Sequence, residues 1–299
     1  MKHLPIKNTA YKELENSFAN WLQTLGYAKS TAECSTSYLK EFFFYLEENG
    51  ILAINQVHKH VIKNYFVYLS RRKHHKKHKA LSTNTLRSHF NVLRRFGKYL
   101  RETGQGNMEV NINIPVKRQT ITTILSKREI KLLYEAAEPN ILGIRDTAML
   151  SIYYGCGLRR NEGVNLDITD ILTDKNKILV REGKGYKERF VPITKAICNN
   201  LEYYLEYSRP FLIATNPMEQ AFFVSIRSTR LSGNMLYERL QKLKEDAGII
   251  KEIGLHTLRH SIATHLLQDG MDIEMVSRFL GHSSLESTQI YTHLSAEMT

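Results

Sequence analysis

Apolar residues recur at helical spacing through the first hundred residues. This pattern predicts an amphipathic helix over residues 9–25. A capping box of Ser30 and Glu33 predicts the start of a second helix. A third helix is predicted over residues 56–69, and Ser82 can cap a fourth. Short helices in series, each with one apolar face, predict a helical bundle.

The periodicity changes in the second half of the chain. Residues 108–122 lack helical spacing and contain Pro115, so we interpret them as a linker. Ser126 and Glu129 form a capping box that opens a new helix. Beyond Asp167 apolar and polar residues alternate. This period of two predicts three short antiparallel strands, over residues 168–171, 178–181 and 189–193.

These patterns predict a fold that is mainly α with a small antiparallel β-sheet. Residues 1–107 would form an N-terminal helical bundle, 108–122 a linker, and 123–299 an α+β domain. A chain of 299 residues with 42% hydrophobic residues can build a core in each of two domains. No apolar run approaches the ~20 residues that cross a bilayer. The first residues also lack a signal-peptide pattern. We therefore expect a cytoplasmic protein with no membrane partner.

Residues 254–293 contain three predicted helical segments, separated by glycines and polar caps. The second of them is predicted to start at a cap on Asp272 and to end at Gly281, the position where helices use a left-handed residue. Ser283 and Glu286 form the capping box of the third.

Four polar residues stand at the ends of these segments: His256, Arg259, His282 and Tyr291. A tyrosine, with a pKa of about 10, is a poor nucleophile at neutral pH. It becomes useful when cations and hydrogen-bond donors surround the electrophile. Arginine forks match two phosphate oxygens, and an imidazole can donate to a third. The set therefore indicates attack on a phosphate, although each residue alone is more often an ordinary polar group at a helix end.

Two glycine-containing stretches invite other interpretations. The segment Gly155-Cys156-Gly157-Leu158-Arg159-Arg160-Asn161-Glu162 is not a dinucleotide fingerprint, because that motif needs glycine at position 160 and a preceding strand. Lys184 lies between two glycines in a predicted hairpin turn, and no Gly-Lys-Ser/Thr of a P-loop occurs there. Such a lysine can protonate a departing oxygen, or it is simply exposed.

The net charge of +12 is concentrated at one end. Residues 1–107 hold 18 Lys and Arg against 7 Asp and Glu, a net +11. Such an asymmetry favours electrostatic binding of a polyanion. The alternative is that these charges only form a solvated surface. The densest basic segment is predicted to be a loop that contacts DNA phosphates. Its candidate DNA-binding residues are Arg71, Arg72, Lys73, Lys76, Lys77 and Lys79.

Several of these motifs together resemble one family. His256-x-x-Arg259, Leu280-Gly281-His282 and Tyr291-Thr292-His293 resemble the C-terminal signature of the tyrosine recombinases, the phage integrase and Xer-like family. The Gly-Leu-Arg at 157–159, with an acid three residues later, resembles the family's first arginine motif. Gly-Lys-Gly at 183–185 resembles its β-hairpin lysine. The N-terminal bundle is similar to the family's SAM-like core-binding domain in length, helix number and position.

The resemblance implies a reaction and its residues. The tyrosine would attack a DNA phosphodiester and form a 3′-phosphotyrosyl link with a free 5′-hydroxyl, with no ATP, cofactor or metal. The implied roles are Arg159 and Arg259 for phosphate binding, Lys184 as general acid, His256 in proton transfer, His282 as phosphate donor, Tyr291 as nucleophile, and Glu162 in orienting Arg159.

The resemblance also implies partners. These are double-stranded DNA recombination sites and three further subunits in a tetramer on paired sites, and it leaves room for a second recombinase or an accessory protein. Residues 292–299 alone follow Tyr291, so we expect a subunit interface there that is shorter, supplied by another element, or weaker.

Three alternatives stay open at this point. A type IB topoisomerase would use similar chemistry to relax supercoils, and an accessory protein would bind DNA without cutting it. A zinc site at His256, His260 and His265 is disfavoured because no HExxH occurs and an arginine lies within the spacing. The three cysteines have no CxxC spacing and indicate neither a disulfide framework nor a zinc site.

Overall fold

The chain folds as two units, Met1–Gln119 and Thr120–Thr299. The residues that the computed structural model describes are 4–72, 80–114, 123–181 and 188–281. Helices dominate these ranges, and a three-stranded antiparallel sheet lies in the second unit. The predicted fold class, mainly α with a small antiparallel sheet, is confirmed. Within the same ranges, no helix is both long enough and apolar enough to cross a membrane.

Helices build the described part of the first unit. They are α1 (Thr9–Thr24), α2 (Lys29–Glu48), α3 (Lys59–Arg71) and α4 (Thr83–Glu102). Their apolar faces meet in an aromatic core, in which Tyr11 stacks on Phe43 and Phe18 meets Phe96 edge to face. All four rings are fully buried. Burying a ring of this size contributes roughly 1.5–3 kcal/mol, which stabilises the bundle.

The ends of these helices test the predicted caps. Ser82 caps α4 as predicted, because its Oγ accepts a hydrogen bond from the backbone N–H of Thr85 at 3.1 Å. The prediction that Ser30 caps α2 is wrong. The N-cap is Ala28, which makes no side-chain cap bond, and Ser30 lies within the first turn. Local capping patterns are ambiguous by a residue or two when two polar residues adjoin.

The beginning of the predicted linker packs on the first unit. Met108, Val110 and Ile114 are buried in its apolar core. Gly97 on α4 permits this, because a Cβ there would lie 2.4 Å from the carbonyl oxygen of Met108. Of the stretch predicted as linker, residues 108–114 therefore belong structurally to the first unit. Residues 115–122 lie outside the described residues.

The second unit combines helices with short strands. Its elements are α5 (Lys127–Glu135), α6 (Ile141–Leu150), α7 (Arg160–Val164), β1 (Ile171–Leu172), β2 (Lys177–Val180), β3 (Arg189–Pro192), α8 (Lys195–Tyr207), α9 (Arg209–Leu212), α10 (Gly233–Asp246), α11 (Leu255–Gln268) and α12 (Ile273–Leu280). Helix α5 has the predicted capping box, in which Ser126 and Glu129 exchange hydrogen bonds of 3.2 and 2.7 Å.

The sheet has strand order β1-β2-β3, with antiparallel pairing throughout. Ile178 in the central strand pairs with Ile171 on one side and Val191 on the other. The first strand is shorter than predicted, because Ile168–Asp170 forms a 3₁₀ turn. The Asp170 carboxylate accepts the backbone N–H of Asp167 at 2.9 Å and closes that turn.

Helix α6 changes its geometry at its C-terminal end. It ends at Leu150 and passes into a π-helical turn, Ser151–Gly155, in which Cys156 N–H donates to the Ser151 carbonyl at 3.0 Å. The chain then turns at Gly157, whose φ is +59°. This turn leads directly into the arginine motif.

Candidate active site around Glu162

The first arginine of the motif is fixed by the start of α7. Arg159 is the N-cap of that helix, and its backbone N–H donates to Glu162 Oε2 at 2.8 Å. Its guanidinium donates to Glu162 Oε1 at 2.8 Å and to the carbonyl of Gly281 at 2.9 Å. The side chain keeps 26% of its surface exposed. Arg159 is thus oriented from both sides and still faces solvent along one edge.

The second arginine reaches the same place from α11. Arg259 is buried, and its Nη1 and Nη2 donate to the carbonyls of Gly157 and Leu280 at 2.6 and 2.8 Å. Its Nη1 also lies 3.9 Å from Glu162 Oε2. The structure therefore brings Arg159, Arg259 and Glu162 together, although 100 residues separate the two arginines in sequence.

A third arginine, Arg189, joins this cluster, although no motif in the sequence predicts it. Arg189, the first residue of β3, donates from Nη1 and Nη2 to Glu162 Oε1 and Oε2 at 3.0 and 2.9 Å. A signal was present in the strand pattern. Residues 189 and 191 share one face of the strand, and Val191 is fully buried. A charged residue on a buried face needs a partner.

Glu162 is the centre of the cluster. Its side chain is only 3% exposed. Burial alone would raise the pKa of this carboxyl, but hydrogen bonds and charge from Arg189, followed by bonds from Arg159, lower the pKa to about 2. The carboxylate is therefore ionised at neutral pH, and it holds the arginines against their mutual repulsion.

His256 lies one turn before Arg259 on α11 and is only partly exposed to solvent. Surrounding protein desolvates the ring, and the charges of Arg259 and Arg159 add to this, so the pKa of His256 is lowered from its ordinary value. The imidazole is therefore predominantly neutral at pH 7, with one nitrogen able to donate and the other able to accept a proton.

Three predicted site residues, Lys184, His282 and Tyr291, lie outside the described residues. The described chain stops at Gly281, which ends α12 in the left-handed conformation (φ +65°, ψ 50°) that the sequence predicts. Asp272 caps the start of that helix through a 2.7 Å bond to the Glu274 N–H, again as predicted. Both arginines thus donate to the carbonyls that directly precede position 282 in the chain.

The predicted DNA-contact segment is described only at its start. Arg71 is the last residue of α3 and is exposed. Arg72 forms a two-atom ion pair with the buried carboxylate of Glu41. Lys73, Lys76, Lys77 and Lys79 lie outside the described residues. Arg72, the last residue described before position 73, is therefore anchored to α2.

The remaining histidines of α11 face protein. Nδ1 of buried His265 lies 2.9 Å from the hydroxyl of Tyr154. Desolvation, followed by the charges of His256 and Arg259, lowers the pKa of His260 to about 4. Within the described ranges, no group of three or more His, Cys, Asp or Glu is placed to hold a metal.

Comparison with known proteins places this site in a family. The phage integrase family matches residues 123–298, and the phage integrase SAM-like domain matches residues 10–108. The tyrosine recombinase XerD of Oceanobacillus iheyensis is 36% identical over 221 residues, covering 73% of this chain and 74% of that protein. XerD of Mycobacterium tuberculosis is 32% identical over 274 residues, covering 89% and 88%.

Solved structures agree in fold. XerH bound to its difH substrate in a pre-cleavage complex has a TM-score of 0.69 at 22% identity, over 89% of this chain and 78% of that one. A λ integrase dimer bound to a COC′ core site has a TM-score of 0.66 at 15% identity, over 94% of each chain. At these identities the likeness concerns the fold alone.

The chain belongs to the phage integrase family, the tyrosine recombinases. It is a site-specific DNA recombinase of the tyrosine type, as the motifs predicted. Its Xer relatives do not favour the topoisomerase or the silent accessory protein.

Because Glu162 is ionised in the folded chain, we expect the free energy of unfolding to fall when this carboxylate is protonated in acid. Its pKa is depressed from 4.5 to about 2 in the folded chain. The stabilisation is therefore complete above about pH 5 and is lost as pH falls through 4.5 toward 2. A shift of this size corresponds to roughly 3 kcal/mol of unfolding free energy. We expect Glu162→Gln to remove this pH-dependent part, measured by urea unfolding at a series of pH values.

The control for this prediction is Glu252→Gln, since that side chain is 91% exposed. The exposed variant should keep the wild-type pH dependence of unfolding between pH 5 and 2. Equal pH dependence in Glu162→Gln and wild type would show that the carboxylate is not held by the arginines.

Proposed function

We propose that the chain cuts and rejoins double-stranded DNA at paired recombination sites through a covalent tyrosyl intermediate. The phenol oxygen of Tyr291 attacks the scissile phosphorus. A 3′-phosphotyrosyl bond forms, the bond to the 5′ oxygen breaks, and that oxygen leaves as a hydroxyl. The energy of the phosphodiester is retained in the new bond, so a second 5′-hydroxyl can reverse the step on another strand. The observation that carries this proposal is the arginine cluster on Glu162.

The cluster supplies positive charge where the phosphate would gain negative charge. Arg159 uses two of the five N–H donors of its guanidinium within the described ranges, and its exposed edge leaves others for a non-bridging oxygen. Arg259 adds a second charge close by. Preorganised donors of this kind stabilise a phosphoryl-transfer transition state without reorganising during the reaction.

The remaining roles follow the sequence motifs. We assign Lys184 as the general acid that protonates the 5′ oxygen and His282 as a donor to the phosphate. His256 supports this set because its lowered pKa leaves a neutral imidazole beside two arginines, suited to accept the phenol proton. The chain would act on DNA in the cytoplasm.

Strand exchange between two sites also requires several copies of the chain. One tyrosine opens one strand, and two duplexes have four strands to exchange, so a tetramer on paired sites supplies one nucleophile for each. λ integrase, whose fold is similar, has been seen as a tetramer bound to a Holliday junction. A second recombinase could supply two of the four subunits.

The direct test is the polarity of the covalent adduct. The substrate is a nicked duplex that carries the chain's own site, identified by binding selection from random sequences. After incubation in EDTA, we expect a protein–DNA adduct through the 3′ phosphate and a new 5′-hydroxyl that polynucleotide kinase can label. An adduct through the 5′ phosphate, or none on a verified binding site, would contradict the proposal.

The basic segment predicts a salt-dependent part of DNA affinity. Each phosphate contact contributes a slope of about −0.9 to the dependence of log K on log salt. If Lys73, Lys76 and Lys77 each contact a phosphate, the slope for the triple Lys→Gln variant should be less negative than that of wild type by about 2.7. Affinity for unrelated duplexes should fall by the same factor, because such contacts do not read bases. Fluorescence anisotropy at several salt concentrations measures both.

A matched control removes the same charge from lysines that pair within their own helices. These are Lys98, Lys131 and Lys242, which ion-pair with Glu102, Glu135 and Asp246. Their triple Lys→Gln variant should change the salt slope by less than half as much. An equal change in both variants would mean that net charge, and not the segment, sets the affinity.

A further inference from the structure

We propose that Arg189 is a positioning residue for the recombination reaction. Through its forked ion pair with Glu162, it keeps the guanidinium of Arg159 turned toward the scissile phosphate. The inference rests on the proposed function, because it presumes that Arg159 and Arg259 receive that phosphate. Three features of the cluster support it.

The first feature is that hydrogen bonds from Arg159 and Arg189 occupy the lone pairs of the Glu162 carboxylate. A carboxylate offers about four lone-pair positions. Here Oε1 accepts from the guanidinia of Arg159 and Arg189, and Oε2 accepts from the Arg159 backbone N–H and from Arg189. Arg189 therefore occupies two positions and leaves a single one for the Arg159 side chain.

The second feature is what Arg159 would do without Arg189. Arginine and carboxylate prefer a forked, two-bond pair. If Arg189 were removed, the vacated positions on Glu162 would be free for a second bond from Arg159. That guanidinium would then turn inward and release the carbonyl of Gly281, which it now holds at 2.9 Å. Fewer of its donors would face the phosphate.

The third feature is the contact of Arg189 with the end of α12. A Cβ placed on Gly281 would lie 2.6 Å from Arg189 Nε and 2.7 Å from its Cδ. The arginine side chain thus lies directly against the left-handed turn at Gly281. The carbonyls of Leu280 and Gly281 in that turn accept from Arg259 and Arg159. Arg189 supports both the carboxylate and the turn that orient the two phosphate-binding arginines.

The test compares two substrates that differ in charge at the scissile phosphate. One is the ordinary nicked duplex, and the other carries a methylphosphonate there, which replaces a charged oxygen by methyl. Because the methylphosphonate lacks one charged oxygen, its transition state needs less stabilisation by the positive charge of guanidinium groups. We expect Arg189→Gln to slow single-turnover cleavage of the phosphate by ~10–100-fold, less than or equal to the ~10²–10³ of a direct donor. Its defect on the methylphosphonate should shrink to about 3-fold or less.

Controls separate positioning from stability. Arg239→Gln breaks another forked pair between an arginine and a buried carboxylate, Asp146, in the same unit. It should lower the melting temperature without changing the ratio of the two cleavage rates. Arg189→Lys keeps the charge but cannot fork, so its rate ratio should lie between wild type and Arg189→Gln. This variant also keeps the test open if the glutamine variant does not fold.

The outcomes distinguish the inference from the proposed function. Arg159→Gln, run in parallel, should also be rescued by the methylphosphonate. If Arg159→Gln is rescued but neither Arg189 variant is, Arg189 has only a structural role and the inference is overturned. If Arg159→Gln itself is not rescued, the phosphate-binding role of Arg159 is overturned, and the positioning role of Arg189 falls with it.

Discussion

A Tyr291→Phe variant is expected to bind site DNA as tightly as wild type and to form no covalent adduct. The substitution removes one oxygen, which is the atom proposed to attack phosphorus, and leaves the ring. Phenylalanine has no atom that can attack phosphorus in line with the departing oxygen. The measurement is adduct formation on the nicked duplex, with affinity determined by gel shift under the same conditions.

The control for this experiment is a tyrosine of the second unit that has a structural role. Tyr154 contacts His265 through its hydroxyl, and Tyr154→Phe removes that one contact. This variant should still form the adduct, at a rate within about 3-fold of wild type, because losing one net hydrogen bond changes stability by only about 1 kcal/mol. Adduct formation by Tyr291→Phe at the wild-type rate would assign the nucleophile to another residue.

Replacing Arg259 by Gln is expected to have the second largest effect. The variant loses a charge beside the phosphate, and a transition-state donor of this kind typically contributes about 10²–10³ in rate. It also leaves the carbonyls of Gly157 and Leu280 without their donor, at roughly 1–3 kcal/mol for each unsatisfied buried group. Single-turnover cleavage measures the first effect, and urea unfolding measures the second.

Arg209→Gln is the matched control for that prediction. Arg209 is also buried in the second unit, and it also donates to two backbone carbonyls, those of Ala221 and Glu219. Its loss should destabilise the fold by a similar amount. Once the protein is saturated with DNA and folded, its cleavage rate should remain near wild type. If both variants lose rate equally, the effect of Arg259 is explained by stability and not by charge at the phosphate.

Parts of the fold that depend on neighbours in sequence were predictable. The capping box of Ser126 and Glu129 and the αL stop at Gly281 appear where the sequence predicts them. Each depends on a few adjacent residues, so the chemistry that sets the helix end is visible in the local pattern. The shift of the α2 start to Ala28 shows the limit of such patterns.

Features that depend on residues far apart in sequence were less predictable. The contact of Gly97 with the Met108 carbonyl places part of the predicted linker on the bundle. Apolar residues alternate with polar ones over 108–114, which is a signal for burial, but the alternation does not show which surface they pack against. Likewise, the motifs identified Arg159, Arg259 and Glu162, but not the pairing of Arg189 with Glu162 across 27 residues. Glu162 lies three residues from Arg159 and is visible in the local motif, whereas its pairing with Arg189 is set by packing in three dimensions.

The π-helical turn before the arginine motif has a consequence for insertions and deletions. Ser151–Gly155 carries one residue more per hydrogen-bonded turn than an α-helix would. Deleting that extra residue would close the turn to regular α geometry and leave the residues after it in nearly the same direction. Inserting a further residue would rotate every later residue by about 100° around the axis, because no second wide turn is present within this segment to absorb it. Gly157 would then no longer meet Leu280, and Arg159 would point away from its carboxylate. We therefore expect this segment to tolerate the loss of one residue better than the gain of one.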